Sequence, residues 1–167
     1  MEGLSLNNKK GQMLSLDLLF ALIIFIFILI GSFWTWNHAQ ERIQETYTMK
    51  DLQLTTQNTI NELVKRPGDP INWYVYTNIS NVTSFGLADQ TINYAKQEKI
   101  DKIIFYGNDS YQESREKLHI GKYNYFLIIG DNSTGLQPSE SANVISMEDI
   151  MLLGNGTIIK VKLELWV

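Results

Sequence analysis

The chain has 167 residues, 44% of them apolar, with 14 Lys and Arg against 18 Asp and Glu for a net charge of −4. That gives room for one domain of ordinary size and excludes a disordered chain. It also excludes the clustered basic footprint of a nucleic-acid binder, so no nucleic acid is expected among the partners. Cysteine is absent, which rules out a disulfide framework and thiolate chemistry. Export stays open, because a chain of this size can bury a sufficient core without staples.

In chain order, a polar stretch ending in Lys9-Lys10-Gly11-Gln12 precedes twenty uncharged residues, Leu18 to Asn37. A helix of that length spans roughly 30 Å, the thickness of a bilayer's hydrocarbon core. A buried helix of a soluble core rarely runs so long without a polar face. The membrane reading is therefore preferred, with lipid as a partner. Trp34 and Trp36 sit at the far end, where amphipathic rings favour the headgroups. Lys9 and Lys10 precede the span and only the near-neutral pair Glu41 and Arg42 follows it. The positive-inside rule then places the N-terminus in the cytoplasm and the remainder outside a single-pass anchor.

Asp17 lies about one turn inside the apolar helix, where a lone carboxylate costs a few kcal/mol unless paired. It either snorkels to the inner interface or finds a cation. A cut near Gly11 would create an α-amino group within about two turns of it, able to neutralise the Asp17 of a neighbouring subunit.

From Asn37 to Arg66 there is neither Gly nor Pro, and Ile43, Tyr47, Leu52, Thr56, Ile60, Leu63 and Val64 form a rough helical stripe. One continuous helix is expected from about Leu14 to Lys65, a stem of about 78 Å. Pro67-Gly68-Asp69-Pro70 ends it. Beyond it, Asn72–Thr77 reads as a first strand and Ser84–Ala88 as a turn packing on the stem. Short helices are expected over Lys96–Tyr106 and Ser110–His119, the second capped by Asn108 or Ser110 and stopped at Gly121.

Three further strands are expected. Tyr123–Ile129 is nearly all apolar, as in a central strand. Ile150–Leu153 and Thr157–Val167 flank Asn155-Gly156, a two-residue hairpin turn in which both residues tolerate positive φ. In the last strand Ile159, Val161, Leu163 and Leu165 share one face, and Lys160, Lys162, Glu164 and Trp166 the other. Asn132–Glu140 reads as an exposed loop. The fold class is α+β, a long N-terminal helix packed against a small antiparallel sheet. Its segments are a leader (1–12), a membrane helix (13–37), an outer half of the stem (38–66) and an extracellular head (67–167).

Five sequons, at Asn78, Asn81, Asn108, Asn132 and Asn155, are candidate N-glycosylation sites in such a head. No catalytic constellation is found, so no enzyme, cofactor or metal is expected. His38 and His119 have no ligand-spaced partner. Glu113 and Glu116 read as a solvated face with Arg115 and Lys117. Glu148-Asp149 is an adjacent pair without a base or nucleophile beside it. The run Asp131–Gly135 has the look of a calcium loop but lacks the bidentate glutamate. Trp73, Tyr74, Tyr76 and Trp166 read first as core or sheet packing, and second as a patch for a partner or glycan.

Lys9-Lys10-Gly11-Gln12, followed by an apolar helix with an early acid, resembles the class III signal peptide of archaeal type IV pilin-like proteins. The blocks Leu63–Pro70, Asn72-Trp73 and Phe85–Ala88, and the closing Gly154–Ile159 hairpin leading to Trp166, look similar to the exported part of that family. The resemblance implies cleavage by a prepilin peptidase on the cytoplasmic side. Lys9 and Lys10 match the recognition residues, Gly11 and Gln12 flank the scissile bond, and Asp17 stands as the assembly acid. The family places glutamine first, serine third and glutamate fifth; counted from Gln12, Ser15 is fourth and Asp17 sixth, and cleavage after Gln12 restores the fifth position for the acid. The resemblance further implies a filament of such subunits, major or minor pilin or pseudopilin, raised by a pilus assembly machine. The alternative from a different class is a single-pass surface protein that never polymerises and binds a ligand or glycan with its head.

Overall fold

The computed structural model describes residues 6–89, 91, 93–140 and 142–167, with side chains described from residue 16 onward. It is an α+β protein with one long N-terminal helix and a five-stranded mixed sheet. Helix α1 runs Leu6–Lys65. It starts before the expected Leu14, so the helical backbone includes Lys9 to Gln12; proline is absent throughout α1 and glycine, the next poorest helix former, occurs only at Gly11 and Gly31. It ends as expected at Lys65. Pro67 disfavours α geometry at Arg66, whose N–H still donates to the Glu62 carbonyl at 3.0 Å.

The chain forms two compact units, Met1–Thr48 and Met49–Val167. In the first, the apolar side chains stand outward, from Leu18 at 74% exposure to Phe27 at 70%. The hydroxyl of Thr35 donates back to the carbonyls of Gly31 at 3.0 Å and Ser32 at 2.9 Å. A polar group in an apolar helix thus costs no unpaired donor.

In the second unit, Leu52, Thr56, Thr59, Ile60, Leu63 and Val64 of α1 are buried. The stripe expected from Ile43 is buried only from Leu52 on, since Ile43 and Tyr47 are exposed. Each buried Leu, Ile or Val stabilises the unit by about 1.5–3 kcal/mol over leaving it in water. The chain then enters a tightly crossed turn. Asp69 bridges to Ser84, Leu87 N–H donates to the Leu63 carbonyl at 2.7 Å, and Phe85, Leu87 and Ala88 are buried against the end of α1. A Cβ on Gly86 would meet Gly68 N at 2.2 Å and the Arg66 carbonyl oxygen at 2.3 Å, so only glycine admits this approach.

The expected strand at Asn72–Thr77 is instead a 3-10 turn, Trp73–Val75. Trp73 N–H bonds the Pro70 carbonyl at 2.9 Å and Val75 N–H that of Asn72 at 3.0 Å. A strand would put Trp73 and Val75 on one face; here Trp73 is buried and Val75 is exposed. A second 3-10 turn, Ile79–Asn81, is capped by the Asn78 side chain.

Strand β1 is Tyr94–Ala95, followed by α2, Gln97–Asp109, and α3, Tyr111–Lys117. Ser110 is the N-cap residue of α3, though its hydroxyl bonds Asp109 and no helix N–H. Helix α3 closes at Leu118 with His119 in the left-handed region at φ 56°, two residues before the expected stop at Gly121. Strands β2, Asn124–Ile129, β3, Asn132–Gly135, β4, Ile145–Leu153, and β5, Ile158–Trp166, follow.

The sheet order is β1-β4-β5-β2-β3. It is mixed and not antiparallel throughout, because β1 runs parallel to β4. Residues 132–135, expected in a loop, pair with β2 from Ile129↔Asn132 to Phe126↔Gly135. Thr134 anchors that strand, buried with its hydroxyl donating to the Asn108 side-chain oxygen at 3.0 Å. Leu153 N–H bonds the Thr157 carbonyl at 2.8 Å, and inside that last rung the β4–β5 connection is a three-residue loop, Gly154-Asn155-Gly156. Gly156 N–H bonds the Leu153 carbonyl at 2.9 Å and Gly156 alone in the loop takes positive φ, 84°. That is a type I turn closed by a left-handed glycine, in place of the expected two-residue turn.

Strand β5 keeps its expected inner face, with Val161, Leu163 and Leu165 buried, but Trp166 is also buried at 7% exposure. Val161, Leu163 and Leu165, Tyr125, Leu127 and Ile129 of β2, and Leu52, Ile60, Leu63 and Val64 of α1 belong to one core.

Candidate functional site

The residues singled out in the sequence fall into two groups. Lys9, Lys10, Gly11 and Gln12 lie on the α1 backbone, and their side chains are outside the described residues. Asp17 follows on the same helix and is exposed. From Met13 to Ala21 the sequence offers it no cation, and at i+3 and i+4 stand Phe20 and Ala21.

Among the described residues, α1 is the one helix long and apolar enough to cross a membrane. At the polar end of that run, Trp34 is 73% exposed and its ring stacks on His38 with centroids 6.2 Å apart. His38 Nδ1 lies 3.8 Å from Glu41. An exposed tryptophan beside a polar ring suits a membrane–water boundary.

The second group lies in the Met49–Val167 unit. All five sequon asparagines are exposed. Asn78 and Asn155 each fold their side-chain oxygen back onto a backbone N–H two residues on, that of Ser80 at 2.9 Å and that of Thr157 at 2.9 Å. Asn108 is different: it lies in the last turn of α2 and accepts the Thr134 hydroxyl. Asn132 begins β3.

Folding also creates a cluster that the sequence did not announce. Glu62 of α1 meets Arg66 at 3.2 Å and His119 at 3.8 Å, in a polar groove of about 610 Å³ bordered by Thr55, Asn58 and Lys65. Among the described residues no group of three or more His, Asp or Glu is arranged to hold a metal ion. The Asp131–Gly135 run, with its look of a calcium loop, is the second residue of a tight turn, Asp131, followed by β3 itself.

Lys99 is a second unannounced feature. It is 1% exposed, and its ammonium donates to the Pro67 carbonyl at 2.8 Å and the Ala88 carbonyl at 2.6 Å. Burial lowers its pKa. The hint was its place on a stripe with Ile103, Tyr106 and Gly107, all buried.

Tyr123 donates to the Asp51 carboxylate of α1 at 2.5 Å. Burial, with that hydrogen bond and the carboxylate's charge, pushes its hydroxyl up to about 12 from the ordinary 10.0. The folded state therefore favours the protonated phenol. Its contribution is intact below pH 10 and is lost as pH rises toward about 12. An alkaline titration followed by circular dichroism should show the wild-type head losing stability across that window. The Tyr123→Phe variant is expected to start less stable and to lose less across it; equal slopes would remove the assignment.

The chain matches no protein-family model, no curated protein and no solved structure.

Proposed function

We propose that this chain is a non-enzymatic structural subunit of a type IV pilus-like surface filament, as a major or a minor subunit. Its leader is cut by a prepilin peptidase on the cytoplasmic side, and its apolar helix then packs with those of other subunits under the action of an assembly machine. The head would stand outside the cell, and its exposed sequons would be open to glycosylation.

The observation that carries this reading is the combination on α1 of a fully exposed apolar run with Asp17 at its start. A plain anchor needs only the apolar residues. An acid with no cation near it in sequence asks for one from another chain, and a freshly cut N-terminus supplies it. The Gly31-Ser32 pair adds a small-residue patch at which neighbouring helices could approach closely.

Mass spectrometry of the membrane-derived chain tests the reading directly. The expected mature N-terminus is Gln12 or Met13. An intact Met1, or a start before Gly11, would sink it and leave the second reading, a non-polymerising single-pass surface protein. That alternative is favoured by the groove around Glu62, Arg66 and His119, a place where the head could hold a polar ligand.

A further inference from the structure

We propose that Asn155 is a self-modifying residue whose carboxamide cyclises onto the backbone nitrogen of Gly156, turning position 155 into aspartate and isoaspartate. Asn155-Gly156 is the one Asn-Gly pair in the sequence. Both residues are exposed at the tip of the β4–β5 hairpin. Beyond Gly156 and its two chain neighbours, no heavy atom lies within 4 Å of the position a Cβ on Gly156 would take, so no other part of the chain covers that flank of the residue. Thr157 N–H donates to Asn155 Oδ1 at 2.9 Å, which folds the carboxamide back over the Asn155–Gly156 peptide and draws electron density from its carbon.

One contact opposes the reaction. Gly156 N–H donates to the Leu153 carbonyl at 2.9 Å and must release it first. That bond lies at the end of a ladder, where local opening costs little. The competing asparagines are held more firmly. Asn108 lies within α2 and accepts from Thr134, and Asn132 is paired with Ile129 in β3.

In the reaction the Gly156 nitrogen loses its proton to solvent base and bonds to Asn155 Cγ. The Cγ–Nδ2 bond breaks and Nδ2 leaves as ammonia, giving a five-membered imide. Water then opens either carbonyl, with no change in oxidation state. Opening one way restores the normal backbone with a carboxylate at 155; the other way inserts a methylene into the three-residue loop and displaces the Leu153–Thr157 rung. Nδ2 is also the atom a glycan on this sequon would occupy, so the two fates exclude each other.

The chemistry needs only water and is independent of membrane insertion or filament assembly. Its test is the full chain in detergent, made in a host without N-glycosylation, held at neutral and mildly alkaline pH and followed by peptide mass spectrometry with isoaspartyl methylation. Position 155 should convert about tenfold faster than Asn108 or Asn132 because glycine offers no Cβ to hinder closure. The rate should rise with pH, and the label should vanish in Asn155→Gln. Conversion of Asn108 or Asn132 while Asn155 stays intact, or a label that survives in Asn155→Gln, would overturn the assignment.

Discussion

Replacing Trp73 with alanine is expected to cost the head about 3–5 kcal/mol, much of what an ordinary domain has to lose. Trp73 is fully buried, and its indole N–H is shared between the carbonyls of Pro67 at 3.1 Å and Gly86 at 3.0 Å. Its ring packs on Phe85 at 4.9 Å between centroids. Losing it opens a cavity beside the turn that ends α1 and leaves the Gly86 carbonyl short of a donor, while the Pro67 carbonyl keeps that of Lys99. Trp73→Phe should keep most of the packing and lose about 1–2 kcal/mol through the missing hydrogen bond. Denaturant titration of the full chain by circular dichroism measures both. A shift for Trp73→Ala below about 1 kcal/mol would mean that the site collapses around the gap.

The second large effect concerns the proposed leader. Substituting Gln at Lys9 and Lys10 and Val at Gly11 is expected to leave the chain full-length when it is produced with a prepilin peptidase, while the wild type shortens. Asp17→Ala should still be cut, because it lies beyond the bond proposed for cleavage. Its entry into filaments should fall at least about tenfold, since a neighbour's α-amino group would then sit in an apolar surround with no counter-charge. Gel mobility reads the first outcome and sheared-filament yield the second. Normal incorporation of the Asp17→Ala chain would remove the pairing role while leaving the cleavage reading standing.

Strong local signals carried most of the fold. The helix end is set by Pro67, and the inner face of β5 by alternation that survives in the burial of Val161, Leu163 and Leu165. What was not legible depends on partners far along the chain. Asn132–Gly135 has loop composition and becomes β3 because β2 offers it an edge and Thr134 finds Asn108. The aromatic run at Trp73 looks like a strand, but the pocket built by Gly68 and Gly86 pulls its central ring inward. Glu62 and His119 meet only because α3 returns to the end of α1; the Thr59 hydroxyl of α1 reaches the Leu118 carbonyl at 3.5 Å. For the proposed leader the situation is reversed. Lys9 to Gln12 draw their meaning from a sequence pattern, and a helical backbone adds little to it.

The place of β5 in the sheet sets a timetable for the protein's birth. The last strand of the chain, Ile158–Trp166, lies at the centre, hydrogen-bonded to β4 on one side and β2 on the other. Until it emerges, β1 and β4 have no connection to β2 and β3. A chain that emerges from its N-terminal side would thus hold two separate pairs of strands, open and apolar, until β5 arrives. Closure then comes as one late event, and the loss of that single strand would leave the two pairs with nothing to join them.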